Sequence, residues 1–267
     1  MKKVLVTGAA GDLGTRLRQS LGAAYPGLRL SDIRKPQGIG ANEEFIAADL
    51  ADYAQVEKIV ADVEGIVHLG GYSVEGPWIT ILNANIVGSY NLFEAAYRAG
   101  VKRVVFASSN HAIGFYRRNQ RIGVDVTVRP DSRYGLSKAF GEALGALYAD
   151  KHGMRVTSIR IGNVQDAPPD QRRLAIWLKA EDLVQLIRIG LEHADIHFEI
   201  FYGVSDNAAG WWDNSNARRF GYRPQGRAED FRDQAMAAQR TLAADPVGAR
   251  FQGGPFCSNE YDADRLK

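Results

Sequence analysis

Cysteine is nearly absent. The single residue, Cys257, excludes an internal disulfide and leaves too few thiolates for a zinc–cysteine site, so no metal is expected. Long apolar runs are missing too: nothing approaches the ~18 residues of a membrane span. The N-terminus reads as a core strand rather than a signal peptide, so the expected location is the cytoplasm. At a net charge of +2, the overall balance calls for neither nucleic acid nor an acidic membrane surface. What remains is an ordinary globular composition, 45% hydrophobic and 24% charged over 267 residues. That length suits a single α/β domain spanning 1–267, with residues from about 163 onward forming a small lobe and tail.

The stretch around which the chain is organised is its N-terminus. Lys3-Val-Leu-Val-Thr7 is a β-branched run that reads as a buried strand. Gly8-Ala-Ala-Gly11-Asp12-Leu13-Gly14 follows at once, and then a segment from Thr15 with helical spacing of apolar residues. Strand, glycine turn and helix together present free backbone N–H groups and a positive helix end to a pyrophosphate. Gly8, Gly11, Asp12, Leu13 and Gly14 are therefore expected at a dinucleotide cofactor. The second strand, Leu28 to Asp32, ends in an acid about 20 residues beyond the turn, where a carboxylate accepts the ribose hydroxyls of NAD and repels the 2′-phosphate of NADP. NAD is the expected cofactor.

A third strand, Glu44 to Leu50, also ends in an acid, and places Asp49 and the backbone of Leu50 at the adenine edge. Tyr53 to Val63 reads as a short amphipathic helix, and Gly65-Ile-Val-His-Leu69-Gly70-Gly71 as a fourth strand whose closing residues approach the cofactor's phosphates and ribose. His68, inside that apolar strand, reads as a hydrogen-bonded core histidine. Successive strand–helix units imply a doubly wound parallel sheet with helices on both faces. Trp78 to Arg98 supplies one long or two joined helices, in which Asn85 and Asn91 suggest a polar network because asparagine is mildly unfavourable there. A fifth strand runs from Arg103 into the polar cluster Ser108-Ser109-Asn110-His111, which marks the mouth of a site. Residues 113–130, with Arg117, Arg118 and Arg121, read as a solvated flap.

Tyr134 and Lys138 stand four apart at the start of the next helix and share one face. A phenol with a pKa near ~10 is a poor base at neutral pH. A cation held beside it favours the phenolate. A hydroxyl from another element, for which Ser109 is the candidate, can hold a substrate oxygen against the phenol. Such a pair alone is commonly a surface feature; its company here is a glycine turn and a serine-rich strand end.

The ordered set Thr7-Gly8-x-x-Gly11-x-x-Gly14, Asp32, Asp49-Leu50, Asn85, Ser109 and Tyr134-x-x-x-Lys138 resembles the extended short-chain dehydrogenase/reductase superfamily over nearly the whole chain. The resemblance implies a Rossmann-type fold, Tyr134 as catalytic base, Lys138 as its activator and ribose ligand, Ser109 as hydroxyl positioner and Asn85 as a link in a proton relay. Further strings resemble the uronate dehydrogenases of that superfamily: His68-Leu-Gly-Gly71, Phe106-Ala-Ser-Ser-Asn-His111-x-Ile-Gly114, Arg160-Ile-Gly162, Gly210-Trp-Trp-Asp-Asn-Ser215 and Arg250-Phe-Gln-Gly-Gly254. That family oxidises D-galacturonate and D-glucuronate at C1 with NAD to the aldarolactone. A hexuronate needs several hydrogen-bonding side chains and one cation. Ser73, Ser109, Asn110, His111 and Tyr134 are expected to supply the first, and Arg172, in the loop after strand six, the planar fork for the carboxylate. Arg173 is adjacent, and spacing to Trp177 favours Arg172. Asn163, also expected at the substrate, stands where the family usually has a small hydroxyl residue. Trp211 and Trp212 suit packing better than substrate stacking, and the tail from Phe251 to Phe256 suits a cap over the site or a contact with a neighbouring subunit. Helices 78–98 and 132–151 resemble those of dimer contacts in the superfamily, so a homo-oligomer is expected. The alternatives are a sugar-nucleotide epimerase or reductase, disfavoured by the short C-terminal region, and a non-catalytic NAD-sensing regulator, disfavoured by the intact Tyr134–Lys138 pair.

Overall fold

The structure, a computed structural model, describes residues 1–263. Seven strands run parallel: β1 (Lys3–Thr7), β2 (Gly27–Asp32), β3 (Glu43–Ala47), β4 (Gly65–His68), β5 (Arg103–Ser109), β6 (Arg155–Ile161) and β7 (Phe198–Gly203). Their order across the sheet is β3-β2-β1-β4-β5-β6-β7, so the chain reverses direction of growth between β1 and β4. This switch point is where open α/β sheets bind ligands, beyond the carboxyl ends of the strands.

Alternation along the central strands fills two layers. Val4 and Val6 join one core with Leu17 and Leu21 of α1 (Asp12–Ala24) and Leu183, Leu186 and Leu191 of α6 (Ala180–Glu192). Leu5 points the other way, into a core with Val56 and Ile59 of α2 (Tyr53–Val60), Leu92 and Phe93 of α3 (residues 78–98), and Leu144 and Tyr148 of α4 (Arg133–His152). A sheet covered on both faces explains why its strands read as continuous apolar runs. Among the described residues, no helix is long and apolar enough to cross a membrane.

Residues 78–98 form one continuous rod, α3, in which Leu82–Val87 is a π-helical turn between the α-helical Trp78–Ile81 and Gly88–Arg98. The π-turn carries the buried Asn85, and such turns concentrate where a helix is bent to serve a site. Several boundaries differ from the sequence expectation. β3 stops at Ala47, so Asp49 and Leu50 lie in the turn beyond it, and β4 stops at His68, which leaves Gly70 and Gly71 in a loop. β5 ends at Ser109, where the chain tightens into a 3₁₀ turn, Asn110–Ile113, capped by the Ser109 hydroxyl. Arg172 belongs not to a loop but to a short helix, α5 (Gln171–Ile176), whose cap is Asp170. Towards the C-terminus a 3₁₀ turn, Ala228–Phe231, leads into α7 (Arg232–Gln239). Nor are residues 113–130 a solvated flap. Ile113 and Ile122 are buried there, and Arg118 donates to the carbonyls of Phe251 and Gly248, at 2.9 and 2.7 Å. The flap is tied down because the tail supplies carbonyls for its arginine.

His68 is the core histidine expected. The Thr7 hydroxyl accepts from Gly70 N–H at 3.1 Å and pairs with His68 Nδ1 at 2.7 Å, while Nε2 faces Ser89 Oγ at 3.4 Å. Burial, with the charge of Lys138 adding to it, pushes the imidazole down to about 3 from its ordinary 6.5. Between those values the unfolded chain binds a proton that the folded protein refuses, so stability falls as pH drops from 6.5 towards 3. A His68→Gln variant is expected to lose stability less steeply than wild type between about pH 6 and 4, by urea unfolding. Parallel profiles would remove His68 from the acid limb.

Candidate active site

The glycine turn sits at the carboxyl end of β1. Gly8 adopts φ +67°, and a side chain there would press to 2.7 Å from the backbone nitrogen of Gly70 and 2.8 Å from the carbonyl oxygen of Leu69. The two loops thus meet backbone to backbone, with no side chain between them and the mouth of the sheet. Gly11 caps α1 without a side-chain hydrogen bond, so the first N–H groups of the helix, Asp12 and Leu13 included, are left for a ligand. Asp12 turns its carboxylate to Arg16 at 3.0 Å. Asp32 lies beside the turn, where its Oδ2 accepts from Ala10 N–H at 3.0 Å and Oδ1 from Arg34 N–H at 3.2 Å. Asp49 is exposed in the next turn, and the Leu50 carbonyl accepts from Asn91 at 2.9 Å. A bare helix N-terminus, a backbone cradle and a carboxylate at the ribose position together fit NAD, and the carboxylate disfavours a 2′-phosphate.

Across the switch point, α4 brings the phenol to Ser109. Its cap is Ser132, whose hydroxyl accepts from Gly135 N–H at 3.0 Å. A Cβ at Gly135 would lie 2.2 Å from the His111 carbonyl oxygen, so the helix touches the 3₁₀ turn only with glycine there. Farther along, Arg160 grips Glu142 through two hydrogen bonds of 2.9 and 2.8 Å, and Ser108 donates to the same carboxylate at 2.6 Å. This buried lock fixes α4 against β5 and β6. Glu75 accepts from Tyr134 N–H at 3.0 Å and pairs with Arg133 at 2.7 Å, so the loop after β4 is docked on the same helix end.

Tyr134 and Lys138 are both buried. They share a face as expected, but Lys138 Nζ donates to the Ala107 carbonyl at 2.8 Å and stands 5.5 Å from the Tyr134 ring centre. Burial pushes the phenol up to about 12, against the lowering effect of its hydrogen bond with Ser109. Burial also pulls the Lys138 ammonium down to about 8. Asn85 bonds neither of them. Its oxygen accepts from Tyr72 N–H at 2.7 Å, and its nitrogen donates to the Tyr72 carbonyl at 3.0 Å and to Ser137 Oγ at 2.9 Å. Asn85 therefore ties the β4 loop to α4; the geometry is that of a clamp.

On the other wall stand Asn110, His111 and Arg172. Hydrogen bonding assigns the Asn110 amide so that it donates to the Ile161 carbonyl at 3.2 Å and accepts from Arg172 Nη2 at 3.1 Å. Arg172 Nε donates to the Gln252 carbonyl at 2.8 Å. Among the described residues, the partners of this buried guanidinium are thus an amide and a carbonyl rather than a carboxylate. Burial, reinforced by the charges of Arg173 and Arg118, pulls it down to about 9. Arg173, in contrast, is paired with Asp170. Asn163 follows β6, and its buried Oδ1 has no partner among the described residues. Ser73 is exposed in the loop after β4.

The sequence expectation lacks one part of the site, Asp131, and leaves the tail between two placements, of which the structure takes the cap. The Asp131 carboxylate holds His111 Nδ1 at 2.7 Å, and nothing in the local sequence singles it out. The tail closes over the site within one chain: Phe256 stacks on His111 at 3.8 Å and packs edge-on to Tyr134 at 6.3 Å. Its signal was the Gln252-Gly-Gly254 string, because small residues let the tail lie flat. Trp212 packs as expected, stacked on Tyr202 at 4.9 Å.

A parallel sheet with a glycine turn at its switch point, an acid at the ribose position and a buried Tyr–Lys pair defines a nicotinamide-dependent enzyme of the Rossmann type. The chain belongs to the NAD dependent epimerase/dehydratase family, whose profile matches residues 4–173. Within it the chain stands with the uronate dehydrogenases. It is 47% identical to uronate dehydrogenase of Pseudomonas putida, covering 95% of each chain, and 46% identical to that of Agrobacterium fabrum, covering 97% of this chain and 98% of the other. Its fold is similar to the solved uronate dehydrogenase of Agrobacterium tumefaciens in a mutant complexed with NAD, at a TM-score of 0.92 and 45% identity, covering 97% and 98% of the two chains.

Proposed function

We propose that the chain oxidises D-galacturonate and D-glucuronate at C1 with NAD, giving the aldarolactone. The observation that carries the reading is Arg172, a buried guanidinium without a carboxylate partner among the described residues, bonded to Asn110, the neighbour of Ser109. A buried cation of this kind awaits an anion, and a neutral sugar would not supply one. Residues from about 163 to 263 contribute the substrate lobe through Arg172, Gln252 and Phe256.

Tyr134 and Ser109 hold the anomeric O1–H of the cyclic sugar. The Tyr134 phenolate then takes the O1 proton as the C1–H bond breaks. When bound, NAD supplies the hydride acceptor and a positive ring beside the phenol. Lys138, whose ammonium donates to the Ala107 carbonyl and stands 5.5 Å from the ring of that phenol, would hold the nicotinamide ribose. Gly8, Gly11, Leu13, Gly14, Leu69, Gly70 and Gly71 would hold the cofactor by their backbone, and Asp32 its adenosine ribose. Ser73, Asn110, His111 and Asn163 bond the sugar hydroxyls, and Arg172 clamps the carboxylate. Asn85 keeps the β4 loop and α4 in register around them. Much of the rate comes from holding C1 within about 3–3.5 Å of the hydride acceptor.

The exposed apolar residues Tyr90 and Tyr97 on α3 and Leu136 and Leu147 on α4 support a homo-oligomer built on those helices. The test of function is absorbance at the NADH band after mixing the protein with NAD and D-galacturonate, D-glucuronate or D-galactose. NADH is expected to form with the two acids and far more slowly with the neutral sugar. Equal rates on all three would remove the carboxylate clamp, and silence with all three would overturn the substrate.

A further inference from the structure

His111 and Asp131 form a built pair inside the substrate wall. His111 Nδ1 and Asp131 Oδ2 are 2.7 Å apart, and the aspartate side chain is wholly buried, at 0% exposure. The other carboxylate oxygen accepts from the Ser132 hydroxyl at 2.8 Å. Two glycines press on the same carboxylate, since a Cβ at Gly114 or Gly253 would stand 1.8 or 1.9 Å from Oδ2. Asp131 is therefore walled in by the β5 turn on one side and by the tail on the other. The imidazole is equally constrained: Phe256 stacks on it at 3.8 Å and 23°, and Tyr134 meets it edge-on at 5.9 Å. The ring keeps 13% exposure, and Nε2 has no protein partner among the described residues.

We propose that Asp131 is a positioning residue for this reaction: it holds His111 as the Nδ1–H tautomer, so that Nε2 accepts a hydrogen bond from a sugar hydroxyl. The inference rests on the uronate reading above. A carboxylate accepts hydrogen bonds and cannot donate when ionised, so the proton between the two side chains belongs to Nδ1. Burial keeps the ring neutral by lowering its pKa, against the opposing pull of Asp131. Nε2 then carries a lone pair on the ring's open edge. A hydroxyl donating to that lone pair is oriented in one direction only, with its own oxygen free for a second donor. Phe256 fixes the plane in which the lone pair lies, so the tail, Asp131 and His111 act as one wall. The same logic governs carboxylates that orient metal-binding histidines, where removing the partner costs about 10–100-fold.

Two measurements test this. In the full-length protein labelled with ¹⁵N, the ring nitrogen shifts of His111, assigned by difference from a His111→Ala variant, report directly which nitrogen bears the proton. A protonated Nδ1 and a bare Nε2 are expected; a proton on Nε2 would overturn the proposal. The second is a double-mutant cycle in kcat/KM for D-galacturonate. Asp131→Asn keeps the shape but removes the carboxylate charge that holds the proton on Nδ1. It is expected to lower kcat/KM about 10–100-fold in the wild-type background and less than about twofold in His111→Ala, with NAD affinity unchanged in both. An equal loss in the two backgrounds, or none in the first, would make Asp131 a packing residue only. A wild-type enzyme silent on uronates would sink the hydroxyl partner along with the substrate reading, while the ring nitrogens would still decide the tautomer.

Discussion

Tyr134→Phe is expected to cut turnover of D-galacturonate about a thousandfold or more while leaving NAD affinity within a few-fold of wild type. The variant keeps what holds the residue in place. Tyr134 N–H still donates to Glu75, the ring still packs edge-on to Phe256 and His111, and the cap at Ser132 is untouched. What it loses is the phenol proposed to take the O1 proton, together with its contact to Ser109. The pH dependence separates this loss from a general one. Burial holds the phenol near 12, so the phenolate is the minor form at neutral pH. The wild-type rate therefore rises with pH, by about tenfold per unit where the phenolate alone limits. The residual rate of Tyr134→Phe lacks that rise. Turnover above about a tenth of wild type, with the pH slope intact, would move the base to another residue.

The position of Lys138 bears on the same slope. Its ammonium is spent on the Ala107 carbonyl rather than on the phenol, and burial lowers its own pKa to about 8. Two groups whose burial disfavours the charged forms stand within one small volume, and a cation entering beside them stabilises the phenolate. Burial by the protein alone thus disfavours the phenolate.

Local chemistry made the first half of this site legible in the sequence. β1, the glycine turn and α1 are contiguous, so period, turn residues and cap lie within one short window. Asp32 and the Tyr134–Lys138 pair are fixed by a strand end and a helix period in the same way. The strand ends were read too long at β3, β4 and β5, because apolar composition continues into turns whose backbone bonds are already spent. Residues 113–130 were misread for a different reason. Arg118 finds its acceptor in Phe251, 133 positions away, and nothing near Arg118 announces it. The same holds for Arg172, whose Nε is held by Gln252, 80 positions on, and for Asp131, whose walls are Gly114 and Gly253. Composition shows that such residues are charged; only the fold shows which of them lack a counter-charge.

Arg172 is where that distinction has its largest consequence for specificity. Arg172→Ala is expected to lower kcat/KM for D-galacturonate by tens- to thousands-fold, the range that about 2–5 kcal/mol implies for losing one partner of a buried charge pair. The loss should fall mainly on KM, because a carboxylate remote from C1 is bound alike in ground and transition states. Affinity for NAD is expected to hold, since no residue of the glycine turn bonds to Arg172. Neutral D-galactose, which never engaged the guanidinium, is expected to lose far less, so the preference for the acid collapses. Arg172→Lys is expected to recover only part of the effect: an ammonium keeps the charge but cannot bond Gln252, Asn110 and a carboxylate from one plane. Arg173→Ala serves as the control, because Arg173 already has Asp170 as its partner and its removal should leave the uronate KM near wild type. An unchanged KM in Arg172→Ala, or a loss shared equally by acid and neutral sugar, would place the carboxylate elsewhere in the cleft. The buried guanidinium would then serve the tail alone, holding Gln252 so that Phe256 stays over His111.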